Sequence, residues 1–217
     1  MVFYFMPRGH GPARDDFLIY MGKDKYENED LIKYGLPHDV WFHVDDLSSA
    51  HVYLRLKQDT SVEDIPADTL EDCVQLVKAN SIQGNKQAVD VVYTPCTNLK
   101  KAASMDVGQV GFYDDKKVKK VAVPKRINDI VNRLNRSKEE LYPDLAADKE
   151  AFEREVRAQR KSVIQAVKKA EKAQRDKAKE EEDRRSYKHI MQDDSMVSRS
   201  DIKEKYKSPA DYEEDFM

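Results

Sequence analysis

The sequence predicts an α+β fold: a mostly antiparallel sheet with packed helices, followed by a long charged C-terminal helix and a disordered tail. Two observations carry that expectation. Short runs of Phe, Tyr, Val, Ile and Leu recur through the first 125 of the 217 residues, punctuated by Gly, Pro and Asp, as strands and turns are. Residues 126–217 instead place 44 charges in 92 positions with few aromatics, too polar to close a core of their own. The expected organisation is a globular domain over residues 1–136, a long charged helix over 137–190 and an acidic tail over 191–217.

Residues 2–6 and 17–21 read as a hairpin-like pair with Gly9, Gly11 and Pro12 between them. Asp24 is placed to cap a helix over residues 25–34, stopped at Gly35 with Pro37 beyond. Residues 40–44 and 51–56 alternate as strands, with Val52, Leu54 and Leu56 on one face. Leu70, Cys73, Val74 and Val77 have the spacing of an amphipathic helix packed on a sheet. Residues 89–94, 107–113 and 118–123 supply three more strands, and Pro124 opens a helix with Ile127, Ile130, Val131 and Leu134 on one side. Residues 145–188 read as one helix. Its best heptad seam runs through Phe152, Val156, Gln159, Val163, Ala166, Ala170, Ala173 and Lys177, fading from branched residues into Ala and Lys. A single solvated helix is therefore favoured over a coiled-coil dimer, and homodimerisation is left open.

Composition excludes several function classes. A net charge of −3 gives no general affinity for polyanions, so a nucleic-acid role needs a local patch. Two cysteines, Cys73 and Cys96, make no disulfide framework. No apolar run reaches the ~20 residues of a membrane span, and the N-terminal stretch lacks the basic start of a secretion signal. The expected compartment is the cytoplasm, with the nucleus second.

The densest chemistry lies in residues 39–54, which hold the only Trp, two His, an Asp pair and two Ser. His43 and His51 with Asp45 and Asp46 fall short of a metal site, because no Cys and no HExxH helix completes the set. Neighbouring Asp45 and Asp46 point to opposite sides of a strand, so they do not form an acid–base pair. Neither Ser48 nor Ser49 sits in a nucleophile elbow, and no phosphate-cradling glycine loop exists. No enzyme activity, metal or cofactor is expected. The remaining candidate is electrostatic. Between Lys100 and Arg126 stand eight bases, among them Lys100, Lys101, Lys116, Lys117, Lys119 and Lys120, against three acids. Such a strip serves phosphate binding with stacking on Tyr93 or Tyr113, or else protects strand edges from aggregation. Charge alone leaves both readings open.

Several motifs add to this picture: Gly22-Lys23 with Asn28-Glu29, the run from Asp39 to Val44, Ser49-Ala50-His51-Val52, Ala79-Asn80-Ser81, the run from Val91 to Thr94, Asn98-Leu99-Lys100-Lys101, and the run from Val107 to Phe112. Through them residues 19–125 resemble the NFACT-R family, the RNA-binding module of ribosome-quality-control factors related to nuclear export mediator factor. Longer runs over residues 20–33 and 78–84, with the helical tail and the Asp215-Phe216-Met217 end, resemble one smaller protein carrying this module, and that likeness covers most of the chain. The resemblance implies nucleic-acid binding, RNA ahead of DNA, in translation or ribosome surveillance. It carries Lys23, Trp41, His43, His51, Asn98, Lys100 and Lys101 over as binding residues. Larger members typically show Gly-Ser-His where this chain has Ser49-Ala50-His51, and they hold partner domains absent here. Residues 145–188 are then an arm for a ribosomal or protein partner. The alternatives are an adaptor acting through the long helix and a DNA-binding, membrane-associated receptor.

Overall fold

Strands with apolar side chains at consecutive positions assemble, in the computed structural model, into an antiparallel sheet that is apolar on both faces. The structure describes residues 1–9, 17–57, 60–102, 104–186 and 199–205. Among these, seven strands form the main sheet: β1 (Val2–Phe5), β2 (Leu18–Gly22), β3 (Asp39–Val44), β4 (Val52–Arg55), β5 (Val89–Pro95), β8 (Lys119–Val123) and β9 (Glu139–Leu141). Their order is β8-β5-β3-β4-β2-β1-β9. A separate ribbon pairs β6 (Leu99–Lys100) with β7 (Gly111–Phe112). The expected α+β class holds.

One face of the sheet presents Ile19, Phe42, Val44, Val52, Leu54 and Val91 to two helices, α2 (Ala67–Ala79) and α3 (Asn128–Arg136). Cys73, Leu76 and Val77 of α2 are buried there, each such side chain contributing about 1.5–3 kcal/mol. The opposite face carries Tyr20, Trp41, Tyr53 and Val92, packed against Leu31 of α1 (Lys25–Tyr34), against Leu99, and against Phe112 of the ribbon. The site described below lies on this second face.

Helix α1 begins and ends where its sequence directs. The Asp24 carboxylate accepts from the Tyr26 and Glu27 N–H groups at 2.9 and 3.0 Å, and Gly35 closes the helix. Asp24→Ala is expected to cost about 1 kcal/mol. The check is a lower urea midpoint with an unchanged denaturant slope.

Three sequence expectations need correction. Residues 107–113 are mostly loop, with only Gly111–Phe112 in a strand. Gly108 takes φ +88°, a left-handed conformation that breaks a strand. Helix α3 begins at Asn128 rather than at Pro124, because Gln75 of α2 holds the preceding chain extended. Its Nε2–H donates to the Lys125 carbonyl (3.1 Å), and the Ile127 N–H donates to its Oε1 (2.8 Å). Strand β9 went unread because Glu139, Glu140 and Leu141 are all exposed and show no alternation. The Met6 N–H donates to Ser137 Oγ (3.2 Å), and Lys138 Nζ lies 3.6 Å from the Phe3 ring centroid, fixing the chain beside β1 just before β9.

The chain divides into two compact units, Met1–Arg154 and Glu155–Met217. The long helix α4 (Leu145–Ser186) starts in the first, where Phe152 packs on His38 with centroids 5.2 Å apart and Lys149 Nζ donates to the Lys33 carbonyl (2.8 Å). Phe152, the head of the heptad seam, is thus engaged within its own unit. In the second unit α4 buries no residue and leaves Val156, Val163, Ile164 and Val167 exposed. Residues 187–188 of the expected helix lie outside the described residues. So does most of the expected disordered tail, of which the described part forms helix α5 (Arg199–Lys205).

Candidate nucleic-acid interface

Period-two alternation in β3 places Trp41 and His43 on the face away from α2, and Asp45 follows in the turn. His51, just before β4, joins them from the neighbouring strand, since Phe42 and Val52 are register partners. The three rings form one cluster. Trp41 and His43 stack with centroids 5.4 Å apart and planes 4° from parallel, and His51 meets both edge-on at 5.3 and 4.7 Å. Trp41 is only 2 % exposed, so it forms the bed beneath the imidazoles and offers no open face.

Hydrogen bonds assign the tautomers. The indole Nε1–H of Trp41 donates to His51 Nδ1 at 2.7 Å, so the His51 proton resides on Nε2. His43 Nδ1 lies 2.7 Å from the Val44 carbonyl, which only accepts, so its proton is on Nδ1 and its Nε2 is an acceptor. Burial, aided by His43, pushes His51 down to about 3. Burial also lowers His43. Both rings are neutral at physiological pH.

Above the cluster opens a cleft of about 480 Å³. Its walls are the Ser48–His51 turn, the β2–α1 junction from Gly22 to Lys25 with Asn28, and a lip formed by Val107, Gly108 and Gln109. Asp46, at φ +57°, makes the tight turn after β3, a conformation Asp tolerates. The lip is latched by Glu29 and Lys101. Lys101 Nζ donates to Glu29 Oε1 (2.7 Å) and to the carbonyls of Asp106 (2.8 Å) and Gln109 (2.9 Å), while the Gly108 N–H donates to the same Glu29 oxygen (2.6 Å). Burial works to raise the Glu29 carboxyl, but these donors outweigh it and lower it.

Asn28 is 4 % exposed. Its Oδ1 accepts from the Tyr53 hydroxyl at 2.7 Å, while its Nδ2 is the one buried side-chain polar atom among the described residues without a hydrogen-bond partner. Such an atom costs about 1–3 kcal/mol.

The basic strip does not form one rim. Lys119 and Lys120 are consecutive on β8 and point to opposite faces: Lys119 pairs with Glu63 (3.3 Å), and Lys120 pairs with Asp45 beside the cluster. Lys101 is spent on the latch. Lys23 stands exposed at the cleft mouth beside Lys25, which the sequence reading did not single out. Lys100 on β6 and Lys116 and Lys117 in the turn before β8 are exposed. Asn98 is an interior clip rather than an open contact: its Nδ2 donates to Thr94 Oγ1 and the Asp114 carbonyl, and its Oδ1 accepts from the Asp114 N–H, each at 2.9 Å. Tyr93 is buried on the helical face, and only Tyr113 of that pair is exposed. Burial pushes both thiols, Cys73 and Cys96, well above the usual range. Among the described residues no three His, Cys, Asp or Glu side chains gather as metal ligands, and no helix is long and apolar enough to cross a membrane.

Fold and site together define an α+β module with a polar, aromatic-bedded cleft edged by lysines. Residues 1–114 match the family described as NFACT protein RNA binding domain, and the chain belongs to that family, a class of nucleic-acid-binding modules. Similarity to curated relatives runs further. Coiled-coil domain-containing protein 25 of Mus musculus is 55 % identical over 202 residues, 93 % of this chain and 96 % of the relative. The protein of the same name in Danio rerio is 63 % identical over 158 residues, 72 % of this chain and 75 % of the relative. The homolog in Dictyostelium discoideum is 52 % identical over 143 residues, 65 % of this chain and 69 % of the relative.

Proposed function

We propose that this protein is a non-catalytic RNA-binding module acting in translation or ribosome quality control, with α4 as an arm that docks a ribosomal or protein partner. The single observation that carries the reading is the family match, which spans the cleft with Lys23, His43 and His51 and includes Lys100. Single-stranded RNA suits such a surface, because lysines follow the backbone while splayed bases reach aromatic and polar groups between them. Lys23, Lys100, Lys116 and Lys117 are the phosphate contacts, being exposed and without a carboxylate partner among the described ion pairs. The exposed valines and Ile164 of α4 are the docking face for the partner.

Titration of the full chain with a short single-stranded RNA is expected to show affinity falling linearly with log salt. Each lost phosphate contact should reduce that slope by about 0.7. Lys23→Glu with Lys100→Glu should weaken binding and flatten the slope, whereas Lys119→Glu, already facing Glu63, should change either little. Affinity for RNA that is unchanged in the first double variant would sink the proposed phosphate path.

A further inference from the structure

We propose that the cleft above Trp41, His43 and His51 is a pocket for one unpaired nucleobase, with Asn28 Nδ2 as the donor that engages it. The inference rests on the RNA-binding reading and adds the chemical group seated in the cleft. Four features converge on it. The cleft volume, about 480 Å³, falls within the roughly 300–1,000 Å³ typical of small-molecule sites. Charge is sorted by depth: Lys23 and Lys25 are exposed at the mouth, whereas the interior offers two uncharged imidazole rings over an indole. Lys101, the ammonium group nearest the lip, is already bound to Glu29 and two carbonyls. A phosphate is therefore met by the exposed Lys23 and Lys25, while an uncharged heterocycle over the imidazoles would find ring edges and an acceptor, His43 Nε2.

The third feature is Asn28. A donor left unpaired inside a fold costs free energy, and a base carbonyl or ring nitrogen accepting from Nδ2 recovers it. His43, which lines the same cleft, offers Nε2 as an acceptor complementary to an exocyclic amine or ring N–H. A donor and an acceptor on two residues of one cleft lining match the hydrogen-bonding edge of a base, which also presents both kinds of group. The fourth feature is Tyr26, 66 % exposed on the first turn of α1 with Lys25 Nζ 5.2 Å from its ring centroid. Next in sequence to Lys25 of the cleft lining, it is a platform for the adjacent base, with its phosphate on Lys23 and Lys25.

Trp41 is the only tryptophan of the chain and lies directly under the pocket, so its emission reports occupancy. Full-length protein would be titrated with a short single-stranded RNA, with each of the four nucleoside 5′-monophosphates, and with inorganic polyphosphate. The expected result is a Trp41 emission change with RNA and none with polyphosphate. A response to RNA alone identifies the base as part of a strand; a saturating response to a monophosphate as well identifies a free nucleotide as a second source. Asn28→Asp keeps an acceptor for the Tyr53 hydroxyl but replaces the donor by an acceptor. It should weaken the emission-detected RNA affinity on the order of tenfold and leave polyphosphate binding unchanged. Ser48→Tyr, at an exposed position on the cleft wall, fills the cavity without touching the core and carries the same expectation if Asn28→Asp does not fold. RNA binding with unmoved Trp41 emission, or full RNA affinity in both variants, overturns the nucleobase pocket while the RNA-binding reading stands. Absence of RNA binding in the wild type overturns both.

Discussion

Asp39→Ala is expected to cost about 3–5 kcal/mol, because it strips one side from a buried ion pair and leaves the other charge unpaired. Asp39 opens β3 and is 0 % exposed. Its carboxylate accepts from Arg55 Nε (2.9 Å) and Nη2 (3.1 Å), from the Tyr20 hydroxyl (2.8 Å) and from the Leu36 N–H (2.9 Å). Four donors lose their acceptor at once, including the guanidinium. Asp39 raises the pKa of Arg55 further despite its burial. Against a total stability of about 5–15 kcal/mol, the loss takes a large fraction. The loss would also reach the candidate site, since the Leu36 contact joins the end of α1 to the strand that carries Trp41 and His43. Urea unfolding at neutral pH measures the effect. Asp39→Ala combined with Arg55→Met should recover much of the loss, because removing both partners leaves no orphan charge. A single variant that costs less than about 1 kcal/mol would show that water reaches Arg55 and that the network does not hold the sheet.

The parts of this molecule legible in sequence are those set by local chemistry. Helix α1 was readable because its cap, Asp24, and its stop, Gly35, lie within one residue of its ends. Helix α2 was readable because one face is apolar at helical spacing. The alternation of β3 and β4 placed Trp41 and His43 on one face, and the structure has them stacked there. What escaped depends on residues distant in sequence. Glu29 latches Lys101 across 72 positions, and no local pattern marks either residue as a partner. Asn28 reads as an ordinary helix residue until Tyr53 takes one side of its amide and nothing takes the other. The basic strip misled for a different reason. Counting charges along residues 100–126 ignores that successive strand residues face opposite ways, so Lys119 and Lys120 serve different sides of the sheet. Strand β9 had no signal because an edge strand exposed on both sides has no face to bury.

Acidification from pH 7.5 to 5 should destabilise the fold, and His51 should account for most of the loss. Its folded value is lowered from 6.5 to about 3, by burial first and then by His43, with Lys101 adding in the same direction and the Gly108 carbonyl opposing. The sign follows from proton binding. Between about pH 6.5 and 3 the unfolded chain takes up a proton at this position and the folded chain does not. The associated stability is therefore complete above 6.5 and drains away as pH falls through that window. At pH 5 the deficit is about 2 kcal/mol for this residue alone, at 1.36 kcal/mol per pH unit. His43, also lowered by burial, adds a deficit of the same sign. Carboxylates do not confuse the measurement. Asp24, Glu29 and Asp64 are lowered from ordinary values of 3.8, 4.5 and 3.8, so their stabilising effect is lost mainly below pH 5. His51→Gln retains an acceptor for the Trp41 indole N–H and has nothing to titrate. Urea midpoints at the two pH values should show the wild type losing about 2 kcal/mol more than this variant. Equal losses in both would mean that the His51 imidazole is hydrated enough to accept a proton while folded, which is incompatible with a dry, uncharged bed beneath the cleft.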